Sequence, residues 1–398
     1  MGIADSEPGL SQEEREICET VHSFSRDILR PIGQELDKYP DPNQVIAPES
    51  PLWRVFAKYR ELGIDPFSLA TTDIPPERQA LLRSIISEEM GWGDAGLAIS
   101  VGVSIFPRVL SLLSGSPALI EQFNSPEIIG CWPITEPDHG SDVILFGGKF
   151  SEFPGTPNCI AKKEGDNFVI NGQKAAWVSN GTIANAAALF CALDLGEGPI
   201  GLGGFVLSLD EPGITRGKPL DKIGQRPLNQ GEIFFDHVVI PSENLVIKPG
   251  GDAVGNDGGL ALANSSMGST FVGVAQASYE LALNYSKERI QGGQPIFRHQ
   301  SVKARIFEMY KKVEYAKALS RRAVYLNTVG PPNLPIAVAS KVTATQCAFE
   351  VASAAIQIFG GNGLSREYPI EKLLRDARAS MIEDGCNEVL SLVASERL

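Results

Sequence analysis

Residues 375–390 have the sequence RDARASMIEDGCNEVL, in which a helical Arg-Asp pair is followed by a carboxylate-glycine step at Asp384 and Gly385. A Gly-rich loop is predicted further upstream, at residues 249–259. Between this loop and the C-terminal segment, apolar residues recur with helical spacing at residues 267–290, 302–326 and 336–359. Long helices joined by short connections are typical of bundles, so residues 244–398 are predicted to form a C-terminal four-helix bundle.

The first third of the chain also has the apolar spacing of helices. Ser11 and Glu14 form a capping-box pattern, and the apolar residues that follow keep helical spacing until Pro31. Further helical patterns occupy residues 53–62, 77–90 and 97–113, the last with a break near Pro107. Residues 1–129 are therefore predicted to form an N-terminal α-helical domain.

From Cys131 onward, short β-type runs alternate with Gly, Asn and Pro. These runs occupy residues 167–170, 189–193, 205–209 and 232–240. The predicted fold is mainly α with a central β domain, a barrel or sandwich, at residues 130–243. A lone GxGxxG match at residues 196–201 contains Pro199 and leads into a β-type run, so it is interpreted as a strand connection and not as a dinucleotide-binding turn.

The composition is that of a compact protein of two or three domains, with 398 residues, 43% apolar and 21% charged. The net charge of −13 argues against nucleic acid and anionic membranes as main partners, because both require basic surface. No apolar run is expected to reach the length of a membrane span, and the N-terminus lacks the features of a signal peptide, so a cytoplasmic protein is expected. The cysteines and histidines lack metal-ligand spacing, and no metal is predicted.

Two motifs in the central region point to a function. Residues 134–142 have the sequence ITEPDHGSD, and residues 177–181 have the sequence WVSNG. Taken singly, a Thr-Glu-Pro segment is more often a turn, and a tryptophan near Asn-Gly is more often a core aromatic. Together and in this order, the motifs resemble signatures of the acyl-CoA dehydrogenase family, and so does the α, β, α order of the chain.

This resemblance implies an FAD-binding enzyme. It places Thr135 and Ser141 along the flavin and the thioester arm of the substrate, Ser179 against the flavin ring, and Trp177 as the aromatic wall of that ring. An isoalloxazine ring needs such a wall and a few hydrogen-bond donors that stabilise the negative charge it receives. The same resemblance adds two further candidate FAD contacts, Cys386 and Glu388.

Two motifs in the helical region extend the resemblance and imply an oligomer. Arg289, in a segment that ends at Gln300, resembles the arginine that reaches the FAD pyrophosphate of a neighbouring subunit, and a guanidinium fork suits a diphosphate. Gln357, Gly360 and Gly361 resemble the turn that meets the same cofactor, although such a turn can also serve as a helix C-cap. Because these contacts come from a second chain in the family, a homotetramer or homodimer is expected.

In the family, a glutamate before the C-terminal glycine removes the α-proton of an acyl thioester, and Asp384 occupies that place here with a side chain one methylene shorter. Asp384, Gly385 and Ser141 are the predicted substrate contacts. Glu383 and Glu388 compete for the role of base, and the preference for Asp384 rests on its place before Gly385. If the Asp-Gly step were only a solvated turn, Asp384 would have no catalytic role.

Departures from the family pattern argue against a straight-chain fatty acyl-CoA. Ala263 and Asn264 stand where some members have an alternative base and a common arginine, Gly292 replaces an aromatic residue, and the lid at residues 64–76 is short. The candidate substrates are an acyl-CoA or an acyl group on a carrier protein. An electron-transferring flavoprotein or oxygen would accept the electrons.

Two alternative functions stay open. An aspartate at the base position also resembles nitroalkane oxidase, a flavin oxidase, but that branch has an arginine where this chain has Ser391. The second alternative is a catalytically silent flavin-binding relative that serves as a structural partner.

Overall fold

A computed structural model describes residues 2–3, 7–64, 69, 72–145, 157–249 and 253–398. Helices form both ends of the chain and strands form its centre, so the predicted fold class, mainly α with a central β domain, is confirmed. The predicted lid at residues 64–76 and the predicted loop at residues 249–259 lie partly outside the described residues.

The N-terminal region contains the predicted capping box, in which Ser11 Oγ accepts from the Glu14 amide and the Glu14 carboxylate accepts from the Ser11 amide. The helix predicted to end at Pro31 continues, because a π turn leads directly into the next helix, where proline near the first position needs no hydrogen-bonded amide. The break predicted near Pro107 is present. The helices are α1 (Gln12–Phe24), α2 (Arg30–Leu36), α3 (Leu52–Leu62), α4 (Pro76–Gly93), α5 (Ala95–Val103), α6 (Phe106–Ser114) and α7 (Pro117–Phe123).

The central strands are β1 (Gly130–Cys131), β2 (Ile160–Glu164), β3 (Asn167–Ser179), β4 (Ala186–Asp194), β5 (Pro199–Ser208), β6 (Ile214–Arg216), β7 (Gln230–Pro241) and β8 (Leu245–Ile247), with the short helix α8 (Asp142–Leu145) after β1. Within the described ranges they form an eight-stranded sheet in the order β6-β7-β3-β2-β4-β5-β8, with β1 parallel to β4. The GxGxxG match covers part of the turn between the antiparallel strands β4 and β5 and the first three residues of β5, which confirms that it is not a dinucleotide-binding turn before a helix. β3 extends well beyond the predicted run at residues 167–170 and carries Ser179 at its end.

The C-terminal region consists of α9 (Ala253–Glu288), the hairpin strands β9 (Ile290–Gln291) and β10 (Gln294–Pro295), α10 (Gln300–Val329), α11 (Leu334–Phe359), α12 (Ile370–Ser380) and α13 (Asn387–Ser395). Residues 253–259 form the first turns of α9, so the loop predicted there is wrong for that part. Glycine lowers helix stability by about 1 kcal/mol relative to alanine. The rest of α9 packs against α4, α10 and α11.

Two helical stretches, Ala95–Ser114 and Leu334–Leu364, are long and apolar enough to cross a membrane by length and composition alone. The expectation that no apolar run reaches this length is therefore wrong on that criterion. Half of each stretch is buried inside the protein, and α11 packs against α9, α10, α12 and α13. A helix at the centre of a bundle is apolar because it packs against other helices, so these stretches are weak evidence for a membrane protein.

The three regions meet at a buried cluster of charges. Lys372 on α12 donates over 2.6 Å to Asp94, which lies between α4 and α5, and over 2.5 Å to Asp376. The amide of Gln225, from the loop before β7, donates to the other carboxylate oxygen of Asp376 over 2.5 Å. One helix of the C-terminal region is therefore bonded to both of the other regions.

The neighbouring Arg375 attaches the same helix to α2. Its guanidinium donates to the two carboxylate oxygens of Asp37 over 2.9 and 2.6 Å, and to the Ile223 carbonyl over 2.8 Å. The Arg-Asp pair at the start of the C-terminal segment thus anchors α12. The turn that carries Asp384 begins where this helix ends.

Candidate active site

Asp384 lies in the turn between α12 and α13. Asp384 and Gly385 have positive φ values of 53° and 90°, and the Asn387 amide closes the turn by donating to the Met381 carbonyl over 3.0 Å. Aspartate adopts this backbone region more readily than most residues with a side chain. A Cβ on Gly385 would lie 2.9 Å from the Leu390 side chain, so glycine is required for space as well as for conformation.

Lys341, on α11, is hydrogen-bonded to this turn. It is fully buried and donates to the Gly385 carbonyl over 2.8 Å and to Oδ1 of Asn387 over 2.9 Å. Asn387 in turn donates to Thr345 over 3.0 Å. Burial lowers the pKa of Lys341 to about 8, and the charge of Asp384 opposes this shift. A buried cation therefore holds the turn next to the predicted base.

The three candidate bases have different surroundings. Asp384 lines a cavity, and burial raises its pKa while Lys341 acts in the opposite direction. Glu383 is absent from the cavity lining and accepts a hydrogen bond from Gln225. Burial and then the charge of Asp384 raise the pKa of Glu383 to about 7. Glu388 is exposed on α13, so only Asp384 among these three reaches the cavity in the described part of the chain.

The cavity has a volume of about 230 Å³ and is lined by helices from both ends of the chain, together with residues of the β region. Small-molecule sites commonly measure about 300–1,000 Å³, so this cavity suits a short ligand. Most of its wall is apolar, and the apolar lining includes Ile86, Met90, Ile99, Val103, Leu262 and Met267.

Two buried polar atoms of cavity-lining residues have no hydrogen-bond partner among the described residues, Nε1 of Trp132 and Oγ of Ser265. An unpaired buried polar group costs about 1–3 kcal/mol, so both atoms indicate a ligand that supplies the missing partner. Trp132 stacks on Phe106 with the ring centroids 4.4 Å apart. Sequence reasoning missed Trp132, although an indole just before the ITEP motif was a visible signal.

The ITEP motif is held against β3. Glu136 and Lys174 form a buried ion pair over 2.7 Å, and Lys174 also donates to the Ile134 carbonyl over 2.9 Å. The Thr135 carbonyl accepts from the Ala175 amide over 2.9 Å. These contacts fix the course of the loop, while Thr135 itself is half-buried and is not part of the cavity lining.

Both central motifs reach the base turn or its cavity. Ser141 Oγ accepts from the Cys386 amide over 2.9 Å, which joins the first motif to the turn. Ser179 lines the cavity together with Asp384, and Gln230 donates to Ser179 Oγ over 3.2 Å. Trp177 is 59% exposed and is not part of this lining.

Comparison with known proteins identifies the family. Residues 131–238 match the model of the acyl-CoA dehydrogenase middle domain, and residues 258–398 match the model of the acyl-CoA dehydrogenase C-terminal domain. The short-chain specific acyl-CoA dehydrogenase of Rattus norvegicus is 30% identical over 98% of this chain and 90% of its own length. The chain belongs to the acyl-CoA dehydrogenase family.

Further relatives and solved structures agree with this assignment. The glutaryl-CoA dehydrogenase of Desulfococcus multivorans is 32% identical over 80% of this chain and 80% of its own length. The structure of butyryl-CoA dehydrogenase from Megasphaera elsdenii has a TM-score of 0.82 at 26% identity and covers 98% of both chains. As a member of this family, the protein is an FAD-dependent oxidoreductase.

The other predicted FAD contacts of this acyl-CoA dehydrogenase family member lie on a different surface, at the ends of the long helices. Arg289 is exposed just after α9, Gln300 is exposed at the start of α10, and Gln357 is exposed in the last turn of α11. Gly360 has a φ of 60°, and a Cβ on Gly360 or Gly361 would meet no atom within 4 Å. None of the five belongs to the cavity lining described above.

Tyr285 brings two of these segments together. The Arg289 amide donates to the Tyr285 carbonyl over 2.8 Å, and the Tyr285 ring stacks on Phe359 with the centroids 4.1 Å apart. Asn362, in the glycine turn, donates to the Tyr285 hydroxyl over 3.0 Å. The Arg289 backbone and the glycine turn are therefore attached to the same tyrosine. A guanidinium and an open backbone each suit a diphosphate.

Proposed function

We propose that the protein introduces an α,β double bond into a short acyl thioester, with Asp384 as the base. The position of Asp384 carries this proposal, because it is the carboxylate that lines the cavity in the described part of the chain. Burial raises the pKa of Asp384, which makes the carboxylate a stronger base. Ala263 lines the same cavity, so α9 supplies no second carboxylate at that position.

The proposed reaction breaks two C–H bonds of the acyl group. The α-proton is transferred to the Asp384 carboxylate, and the electron pair left on the α-carbon forms the double bond as the β-hydrogen leaves with its own pair. FAD, when bound, supplies the acceptor for that hydrogen and its two electrons. The Asp384 amide is proposed to donate to the thioester carbonyl, which makes the α-proton more acidic. Ser141 and Gly385 complete the proposed substrate contacts.

The residues near the cavity fit a flavin. Trp132 offers an unpaired N–H, Ser179 offers a hydroxyl, and Trp177 offers an exposed aromatic face that a planar ring would cover. The contacts proposed from the same chain are Thr135, Ser141, Trp132, Trp177, Ser179, Cys386 and Glu388.

A second copy of the chain is proposed to complete the FAD site. Arg289 and the open turn at Gly360 and Gly361 suit the pyrophosphate, with Gln300 and Gln357 as additional contacts. This arrangement requires a homodimer or a homotetramer. CoA and a carrier protein both remain candidate carriers of the acyl group, and an electron-transferring flavoprotein and oxygen remain candidate acceptors. The domain boundaries after residues 129 and 243 and the cytoplasmic location stay predictions.

The Asp384→Asn variant tests the base. The amide cannot accept the α-proton, so we expect anaerobic bleaching of the flavin absorbance by a short acyl-CoA to slow by about 10²–10⁴-fold. The rate is measured by stopped flow with a panel of short and branched acyl-CoAs. Asp236→Asn, the same change at an exposed position on β7, is the matched control and should keep the wild-type rate.

If the flavin of the Asp384→Asn variant were bleached at the wild-type rate, another group would be the base. A purified protein that holds no flavin and cannot be reconstituted would refute every catalytic proposal made above. If flavin is bound but no acyl-CoA bleaches it, three explanations compete: a carrier-bound acyl substrate, a nitroalkane substrate, or a catalytically silent protein. Turnover of nitroethane would support the nitroalkane substrate against the other two.

A further inference from the structure

A buried side-chain amide lies next to Ser179. Gln230, at the start of β7, is the cross-strand partner of Ser179 at the end of β3. Its Nε2 donates to the Ser179 hydroxyl oxygen and to the Trp177 carbonyl, over 3.2 Å in each case. Its Oε1 accepts from Nζ of Lys222 over 2.8 Å. The Gln230 side chain is therefore hydrogen-bonded at both of its polar atoms.

The partners of Gln230 fix the orientation of its amide group. The oxygen and nitrogen of a side-chain amide exchange places when the group turns by half a revolution. The Trp177 carbonyl can only accept, so the NH2 group must face it. The Lys222 side chain can donate to the amide oxygen, so that oxygen faces the lysine. Two partners of opposite character therefore select the same orientation.

Lys222 can hold the amide in either protonation state. Its Nζ also donates to the Leu228 carbonyl over 2.7 Å, so two oxygen acceptors face it. Burial lowers the pKa of Lys222 to about 7, and the charges of Glu383 and Asp376 oppose this shift. An ammonium group has three N–H donors and a neutral amine has two. Both acceptors can therefore keep their hydrogen bonds on either side of this pKa.

The orientation of Gln230 determines how the Ser179 hydroxyl is used. A hydroxyl has one hydrogen to donate, and its oxygen accepts. Because the Ser179 oxygen accepts from Gln230, the hydroxyl hydrogen is not used in that bond. Ser179 lines the cavity, and its hydroxyl donates to no other side chain or carbonyl within the described part of the chain. The hydrogen is therefore available to a ligand.

We propose that Gln230 and Lys222 are positioning residues that keep the Ser179 hydroxyl as a hydrogen-bond donor toward the flavin ring. This inference rests on the proposed function, in which Ser179 contacts the flavin, and it names the residues that prepare this contact. A donor that is already oriented stabilises the negative charge that the ring gains on reduction. With the amide turned round, Ser179 would donate to Gln230 instead, and the flavin would lose this donor.

The Gln230→Glu variant tests this role, because a carboxylate beside Lys222 has nearly the same shape but only accepts. The Ser179 hydroxyl would then donate to the carboxylate and turn away from the flavin. The midpoint potential is measured by reductive titration of the FAD-loaded protein against a reference dye, without any acyl thioester. We expect the equilibrium constant for flavin reduction to fall by about 10-fold, or about 30 mV for a two-electron couple. Ser179→Ala removes the same donor and should give a similar fall.

A double variant separates this route from a direct effect of charge. Gln230→Glu adds a negative charge, which would by itself make the flavin harder to reduce. In the Ser179→Ala background, Gln230→Glu should change the equilibrium constant by less than about twofold, because the hydroxyl through which it acts is absent. A full 10-fold fall in that background would overturn the proposal in favour of charge alone.

Lys222→Met reaches the same effect by a second route, which keeps the test available if Gln230→Glu does not fold. It removes the donor to the amide oxygen, so the amide can turn and the potential should fall. The fall should be absent in the Ser179→Ala background, and an equal fall in both backgrounds would show that the lysine acts only by its charge. Lys218→Met, exposed in the same loop, and Gln122→Glu, exposed on α7, are the matched controls and should keep the wild-type potential.

Two further outcomes separate this inference from the proposed function. If Gln230→Glu binds FAD and keeps the wild-type potential while Ser179→Ala lowers it, Ser179 contacts the flavin but Gln230 does not position it, and only this inference fails. If Ser179→Ala also keeps the wild-type potential, the proposed flavin contact of Ser179 fails together with this inference. Neither outcome depends on the acyl substrate, because the potential is measured in its absence.

Discussion

Lys341 is expected to control the ionisation of Asp384. Turnover requires the ionised base, so kcat/KM falls as the pH drops through the pKa of Asp384, which burial holds above its usual range. Lys341 is protonated below its pKa of about 8, and its charge lowers the pKa of Asp384. In Lys341→Met this charge is absent, so the pKa of Asp384 rises further. We expect the acidic limb of the kcat/KM profile to move to higher pH.

The profile is measured with the best substrate from the bleaching assay, from acidic pH up to the pKa of Lys341 at about 8. Lys341→Arg retains the charge and should retain the position of the limb. Lys287→Met, at an exposed position of α9, controls for the change of residue type. A limb that stays in place while the rate falls at every pH would show that Lys341 only supports the turn.

At the scale of single residues, the sequence predicts groups that belong to a motif and misses groups that only packing brings together. Asp384 and Ser179, which belong to motifs, line one cavity. Lys341 lies within the apolar pattern at residues 336–359, where a lysine is unfavourable unless it is paired. That signal was visible, but its partners lie beyond the next helix, at the turn after α12.

At the scale of elements, Asn180 attaches the end of β3 to α5. It is buried with a φ of 59°, and its Oδ1 accepts from the Ser100 hydroxyl over 2.6 Å. Its Nδ2 donates to the Ser100 carbonyl over 2.7 Å and to the Gly130 carbonyl over 3.1 Å. Ser179, the preceding residue, lines the cavity. Asn180 therefore positions the strand end that the flavin is proposed to contact.

Asn180→Ala is expected to lower the free energy of unfolding by about 2–4 kcal/mol, because it leaves buried polar groups unpaired and places alanine in a left-handed conformation. Chemical unfolding followed by circular dichroism measures this loss. Asn167→Ala, at the exposed start of β3, is the matched control and should change stability by less than about 0.5 kcal/mol. Equal stability of the two variants would mean that the Asn180 contacts do not hold the strand end.

Helices whose apolar residues recur regularly over many turns were predicted correctly. Elements that depend on contacts with neighbouring elements were not. The helices now assigned as α9, α10 and α11 follow the predicted patterns. The glycines at residues 255, 258 and 259 favoured a loop, yet α9 extends over them. β2 has the sequence IAKKE and only one fully buried residue, so its own pattern is weak, and pairing with β3 and β4 makes it a strand.

At the scale of the whole molecule, the cluster around Lys372 joins the N-terminal helices, the β region and the C-terminal bundle. Burial raises the pKa of Asp94, with Lys372 acting against this shift. Burial opposes the charged form of Lys372 too, but Asp376 and Asp94 outweigh it and raise the pKa of the lysine. The lysine and the two carboxylates therefore stabilise one another's charged forms. Removing the lysine leaves two buried carboxylates without a positive charge to compensate them.

We expect Lys372→Met to lower the free energy of unfolding by about 3–5 kcal/mol, the range for breaking a buried charge pair from one side. The apparent loss should be similar by far-ultraviolet circular dichroism and by tryptophan fluorescence, because the cluster joins all three regions. Lys162→Met, on the exposed side of β2, removes an equal charge from the surface and should cost less than about 0.5 kcal/mol. A loss confined to one probe would instead show that the regions unfold independently and that the cluster stabilises only α12. In that case the base turn would still be held by Lys341, by Ser141 and by the hydrogen bond from Gln225 to Glu383.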